Sequence, residues 1–147
     1  MDISPTSIVA LDSMLFIYLL DFTDSHFHAL AKSLFSHFET HRIKSITSIV
    51  SVLETLSSPT FQNKPEKIGE YSLFFQKLAG LSVFDVDWEI ALQAATLRRE
   101  NPHLKTPDSI QLATALTHHA DIFITNDNRL KGLSLPSLKI LPLSQIK

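Results

Sequence analysis

A chain of 147 residues with 44% hydrophobic side chains is long enough to bury a core and too apolar to be disordered. Thirteen Lys and Arg against fifteen Asp and Glu leave a formal charge of −2, which excludes a global basic field for nucleic acid. The absence of cysteine excludes a disulfide scaffold and thiolate metal sites, and suits a cytoplasmic protein.

The chain opens with Asp2 and no basic residue before Ile8, and Asp12 interrupts the apolar run to Leu20. Neither a signal peptide nor a membrane span is expected, and no membrane partner. Ser7 to Asp12 reads as a short buried strand ending in a carboxylate, with Ser13 as cap of a helix Met14 to Leu20. Asp24 or Ser25 starts the clearest amphipathic helix, where Phe27, Leu30, Ala31, Leu34, Phe35 and Phe38 fall at helical spacing. Arg42 to Thr47 is a second strand candidate. Thr47 or Ser48 then caps a helix carrying Glu54, on which Ile49, Val52, Leu53 and Leu56 define the expected buried stripe. After a break at Ser57 to Thr60, a helix over about Pro65 to Ala79 places Ile68, Tyr71, Phe74, Phe75 and Leu78 on one face. Gly80 ends it, Leu81 to Val86 is a third strand, and Trp88 to Arg99 is helical.

The next stretch is the most informative. Thr106 is placed to cap a helix, Pro107 fits its first position and Asp108 its first turn, with the helix running to about His119. Asp121 to Thr125 is apolar and β-branched, a buried strand that delivers Asp127 at its carboxyl end. Lys139 to Leu141 adds a last edge strand. Strands alternating with helices predict an α/β fold, a three-layer α/β/α sandwich around a short parallel sheet, and residues 1–147 form a single domain with no repeat or long linker. Only three glycines are present, and none forms a phosphate-cradling loop.

Four carboxylates, Asp12, Glu54, Asp108 and Asp127, are the candidates for chemistry. Each also has an ordinary explanation. Asp12 can be a strand-end cap, Asp108 a helix-dipole partner, Glu54 part of a solvated helix face and Asp127 a turn residue. Their joint placement favours chemistry, because in open α/β sheets strand ends converge on one crevice. Two unit charges about 4 Å apart repel by roughly 4 kcal/mol at an effective dielectric of 20, so such a cluster holds protons or binds a cation. Oxygen ligands without Cys or a His motif favour Mg²⁺ or Mn²⁺ over Zn²⁺. The chemistry that follows is metal-assisted phosphodiester hydrolysis.

The stretches Val9 to Tyr18 (VALDSMLFIY), Ser51 to Glu54 (SVLE), Thr106 to Ala115 (TPDSIQLATA) and Ile124 to Asp127 (ITND) resemble the PIN domain family, in its order, across roughly Ile8 to Leu141. The resemblance is nearest to the small VapC-like toxins. It implies a Rossmann-like sandwich and an Mg²⁺- or Mn²⁺-dependent endoribonuclease, with Asp12, Glu54, Asp108 and Asp127 in the acidic positions as catalytic residues and metal ligands. It matches Ser13 and Thr125 to the polar residues beside the first and last acids. It further implies an RNA substrate, a cognate antitoxin and a homodimer. Met14 stands where a polar residue is frequent and His118-His119 where glycine is common, departures that bear on substrate preference.

Lys105, Arg129 and Lys131 bracket the acids and are candidates for phosphate contacts, although isolated charges are usually just solvated. Asp85 and Asp87 read as loop residues and the histidine pairs as helix-surface or helix-end residues. The Phe-rich Tyr71 to Leu78 reads as core, with an incompletely buried part that could seat an antitoxin helix. Two other readings stay open: an RNA-processing nuclease without an antitoxin, and a catalytically silent module that only binds RNA or protein.

Overall fold

Short β-branched and apolar runs build the sheet. The computed structural model describes residues 3–21 and 23–146, so the expectation about Met1 and Asp2 lies outside the described residues. Strands β1 (Ile8–Leu11), β2 (Lys44–Ser48), β3 (Leu81–Phe84), β4 (Ile122–Thr125) and β5 (Lys139–Pro142) form one sheet in the order β3-β2-β1-β4-β5. Every pairing is parallel. The helices are α1 (Ser13–Leu20), α2 (Ser25–His41), α3 (Ile49–Leu56), α4 (Pro65–Lys77), α5 (Trp88–Glu100) and α6 (Thr106–Thr117).

Two-residue alternation along the central strands divides the core. Val9, Leu11, Ile122 and Ile124 face a cluster with Leu15 and Phe16 of α1, Leu34 and Phe38 of α2 and Phe75 of α4. Ala10, Ile46 and Phe123 face the other side, against Ile90, Ala94 and Leu97 of α5 and Leu112, Ala113 and Ala115 of α6. The result is the expected α/β/α sandwich. Each fully buried Leu or Phe contributes about 1.5–3 kcal/mol relative to exposure, so these two clusters carry the fold.

The strand order reverses between β1 and β4, where Leu11 pairs with Ile124 and the Asp12 N–H continues the ladder to the Ile124 carbonyl at 3.1 Å. Gly80 enters β3 with φ +78°, and a Cβ there would lie 3.1 Å from the Ile43 carbonyl, so only glycine turns this corner without strain. His119 closes the α6–β4 link at φ 55°, the left-handed conformation that makes glycine the usual choice at that position.

Several local expectations need correction. On α3, Ile49 and Leu53 are 40% and 65% exposed, and the buried row is Ser51 and Thr55. Those hydroxyls can go inside because each has a partner: Thr55 Oγ1 donates to the Ser51 carbonyl at 2.7 Å, and the Ser51 hydroxyl accepts from the Thr47 hydroxyl at 2.8 Å. On α4, Ile68 lies outside the core while Phe75 is buried. Asp12 and Lys105, rather than Ser13 and Thr106, occupy the N-cap positions of α1 and α6. Asp24 and Ser48 do cap α2 and α3, each accepting a backbone N–H, and Asp87, read as a loop residue, instead caps α5 by accepting the Ile90 N–H. Among the described residues no helix is long and apolar enough to cross a membrane.

Candidate active site

The carboxyl ends of β1 and β4 and the first turn of α6 converge on a cleft of about 590 Å³, lined by Asp12, Glu54, Asp108 and Asp127 together with Ser13 and Arg129. The structure thus brings together all four acids singled out in the sequence. Met14, Ile17 and Leu53 supply its apolar wall, which accounts for the exposure of Leu53.

Asp12 is 4% exposed. It stands at the N-cap of α1 yet makes no capping hydrogen bond. Its oxygens instead accept the Thr125 hydroxyl at the end of β4 and the Ser13 hydroxyl at 3.2 Å. The explanation as a cap therefore fails for Asp12. Burial pushes its pKa up to about 6 against the two hydroxyls that hold it down, and the charges of Asp108 and Glu54 push the same way. Thr125, fully buried, also accepts the Asp127 N–H at 3.0 Å, so one hydroxyl positions both acids of the β1–β4 junction.

Glu54 is partly buried, not solvated as its place off the apolar stripe suggested. Gln111 Nε2 donates to it at 2.6 Å, while Gln111 Oε1 accepts the Ser13 N–H at 3.4 Å. Gln111 escaped the sequence reading. The available signal was its place three residues after Asp108, on the same helix row. The amide ties α6 to both α3 and the start of α1.

Asp108 projects from the first turn of α6, and burial raises its pKa against the nearby Arg129, with Asp127 and Glu54 raising it further. Asp127 is the opposite case. Arg129 Nε donates to its oxygens at 3.0 and 2.9 Å, Nη2 adds a very short contact, and its pKa is held down. The Arg129 N–H also bonds Asp127 Oδ1 at 2.8 Å, so a turn role for Asp127 coexists with its place in the cleft. Arg129 Nη2 lies 3.9 Å from Asp108. Lys105 forms no salt bridge among the described residues, but its charge lowers the pKa of both Asp108 and Asp127.

As the side chains stand, no three His, Asp or Glu residues among those described are grouped to hold one ion. The donor chemistry nevertheless fits a hard divalent cation. The ligand atoms are carboxylate oxygens, two of the acids are desolvated, and their mutual repulsion makes a bound positive charge favourable.

A family model described as the PIN domain matches residues 9–134. Comparison with curated proteins finds no match. Among solved structures, the fold is similar to a chain of a toxin–antitoxin complex from Klebsiella pneumoniae, with TM-score 0.65, 22% identity, and coverage of 88% of this chain and 94% of that one. It is similar to a chain of VapBC2 from Rickettsia felis bound to a promoter DNA fragment, with TM-score 0.66, 16% identity and coverage of 92% and 98%. A chain of DNA-bound VapBC from Salmonella typhimurium aligns with TM-score 0.63, 17% identity and coverage of 94% and 99%.

Proposed function

The chain belongs to the PIN domain family, and on that premise we propose that it is a divalent-metal-dependent endoribonuclease, the toxin of a toxin–antitoxin pair. The observation that carries this reading is the meeting of four acids from separate segments in one cleft, the most buried of them coupled electrostatically to two others. PIN domains are generally nucleases that use divalent metals, and the similar structures include toxin–antitoxin complexes.

Asp12, Asp108 and Asp127 would hold Mg²⁺ or Mn²⁺. When bound, the ion activates water and offsets the charge that grows on the phosphodiester. The Thr125 and Ser13 hydroxyls hold the Asp12 carboxylate in one orientation at the cleft. Glu54, restrained by Gln111, is the residue to orient the attacking water and take its proton.

Two protein partners belong to the same reading. A cognate antitoxin neutralises the acidic cleft with a cation of its own. An apolar groove of about 520 Å³ between α3, α4 and β3, lined by Ile49, Val52 and Phe75, offers an amphipathic segment a seat. A second copy of the chain completes a homodimer.

The test is cleavage of a structured RNA by wild type and by Asp12→Asn, Asp108→Asn and Asp127→Asn. Each amide keeps the shape and removes the charge, so each should lose at least about 100-fold in rate while staying folded. EDTA should stop wild type and Mn²⁺ restore it. Equal cleavage by wild type and Asp108→Asn would assign the activity to a contaminant and leave a silent binding module.

A further inference from the structure

Next to the acidic cleft lies a second groove of about 480 Å³, between the α5–α6 connection and the loop after β4. The two cavities share Asp108 and Arg129 in their linings and nothing else. The groove's own lining adds Glu100 to the shared Asp108 and Arg129, and further cations come from the segments that flank it. The groove has an apolar floor of Leu104 and Leu130, with His103 exposed at its edge. Arg98, Arg99 and Lys105 belong to the chain segment on one side, and Arg129 and Lys131 to the segment on the other. Arg98 is fastened to this wall through an Nε hydrogen bond to the Leu104 carbonyl at 3.2 Å. Asn101 commits its Nδ2 to the Leu97 carbonyl at 3.0 Å and retains its side-chain carbonyl as an acceptor.

Arg129 stands at the junction. It saturates Asp127 and abuts Asp108, yet its side chain is 57% exposed. A guanidinium that grips a carboxylate through two nitrogens fits a phosphate with the same fork. While it holds the acids, it supplies the positive charge that a metal ion would bring. When it turns to a phosphate, it releases that anionic charge to a cation.

We propose that the groove seats the nucleotide adjacent to the cleavage point of a single-stranded RNA, and that Arg129 joins the two cavities by exchanging its carboxylate partners for the phosphate between them. This rests on the ribonuclease reading and deepens it. The apolar floor and His103 receive the base and sugar, and the flanking cations receive the backbone. Metal and RNA then favour each other's binding, because both draw on the same movement of one side chain.

Two measurements that need no turnover test this. Mn²⁺ binding is followed by calorimetry without RNA, and a short single-stranded oligoribonucleotide is titrated by fluorescence anisotropy in EDTA at several salt concentrations. Arg129→Gln should bind Mn²⁺ about tenfold more tightly than wild type. It should bind RNA about tenfold more weakly, with a salt slope smaller by about 0.7. His103→Glu, with a melting curve to show that it is folded, should weaken RNA binding severalfold and leave Mn²⁺ affinity at the wild-type value. An Arg129→Gln protein with unchanged Mn²⁺ and RNA affinities overturns the proposal, as does His103→Glu binding RNA like wild type. If wild type still cleaves RNA in those cases, the ribonuclease reading survives alone. Wild type that binds Mn²⁺ but neither binds nor cleaves RNA overturns both.

Discussion

Asp12 shows how one residue can be costly for folding and still be held in place. Its folded-state pKa of about 6 lies above the ordinary 3.8, so the folded chain keeps this proton longer than the unfolded chain does. The associated stability is complete below about pH 3.8 and is lost as pH rises through about 6. Asp12→Asn carries no charge at any pH and escapes that loss. Without metal, it should be more stable than wild type near pH 8 by on the order of 3 kcal/mol, with the gap narrowing as pH falls toward 4. Urea unfolding across that range measures it, and a gap that ignores pH would show that Asp12 is not a buried charge. A variant that gains stability by removing a group central to the cleft is the usual sign of a site kept for chemistry.

Between elements, the β1–β4 junction depends on a hydroxyl. Thr125 ends β4, donates to Asp12 after β1 and accepts from the Asp127 backbone. Thr125→Val keeps the shape and leaves one buried and one part-buried polar group without this partner, so stability should fall by about 1–3 kcal/mol, with Thr125→Ser recovering most of it in chemical denaturation. No loss in the valine variant would mean that water replaces the hydroxyl. Features such as this set the limit on what the sequence discloses. The strands and most helices were legible because each follows from a local pattern, such as a β-branched run or a capping residue, whereas the four acids stood out only as a set, Glu54 having no local signal of its own. α3 was misread because its apolar residues follow a stripe while its buried row is Ser51 and Thr55, whose polarity is satisfied by bonds that no periodicity reveals. Gln111 was missed because its partner Glu54 is 57 positions away. Arg129 stood out as a cation; its hold on Asp127 is a local contact two residues apart, but its approach to Asp108 is tertiary.

At the scale of the molecule, the acids belong to separate segments, so whatever gathers them stabilises the whole fold. Millimolar Mn²⁺ at about 100 times its dissociation constant should add about 2.7 kcal/mol and raise the melting temperature, and Asp108→Asn should abolish the shift. A shift that persists in that variant would remove Asp108 from the ion's surroundings. The strand order has a consequence in time as well as in space. β1 lies in the middle of the sheet, and Thr125, which completes the setting of Asp12, follows 113 positions later. A ribosome therefore releases Asp12 long before Asp108, Thr125 and Asp127, and closing so distant a pairing is slow by nature. Until then a nascent chain holds only Asp12 and Glu54 of the four acids, without the Asp108, Thr125 and Asp127 that complete the cleft. Under the proposed activity, the growing polypeptide is harmless to its own message, and it becomes able to cut RNA only after the segment through Arg129 has been made.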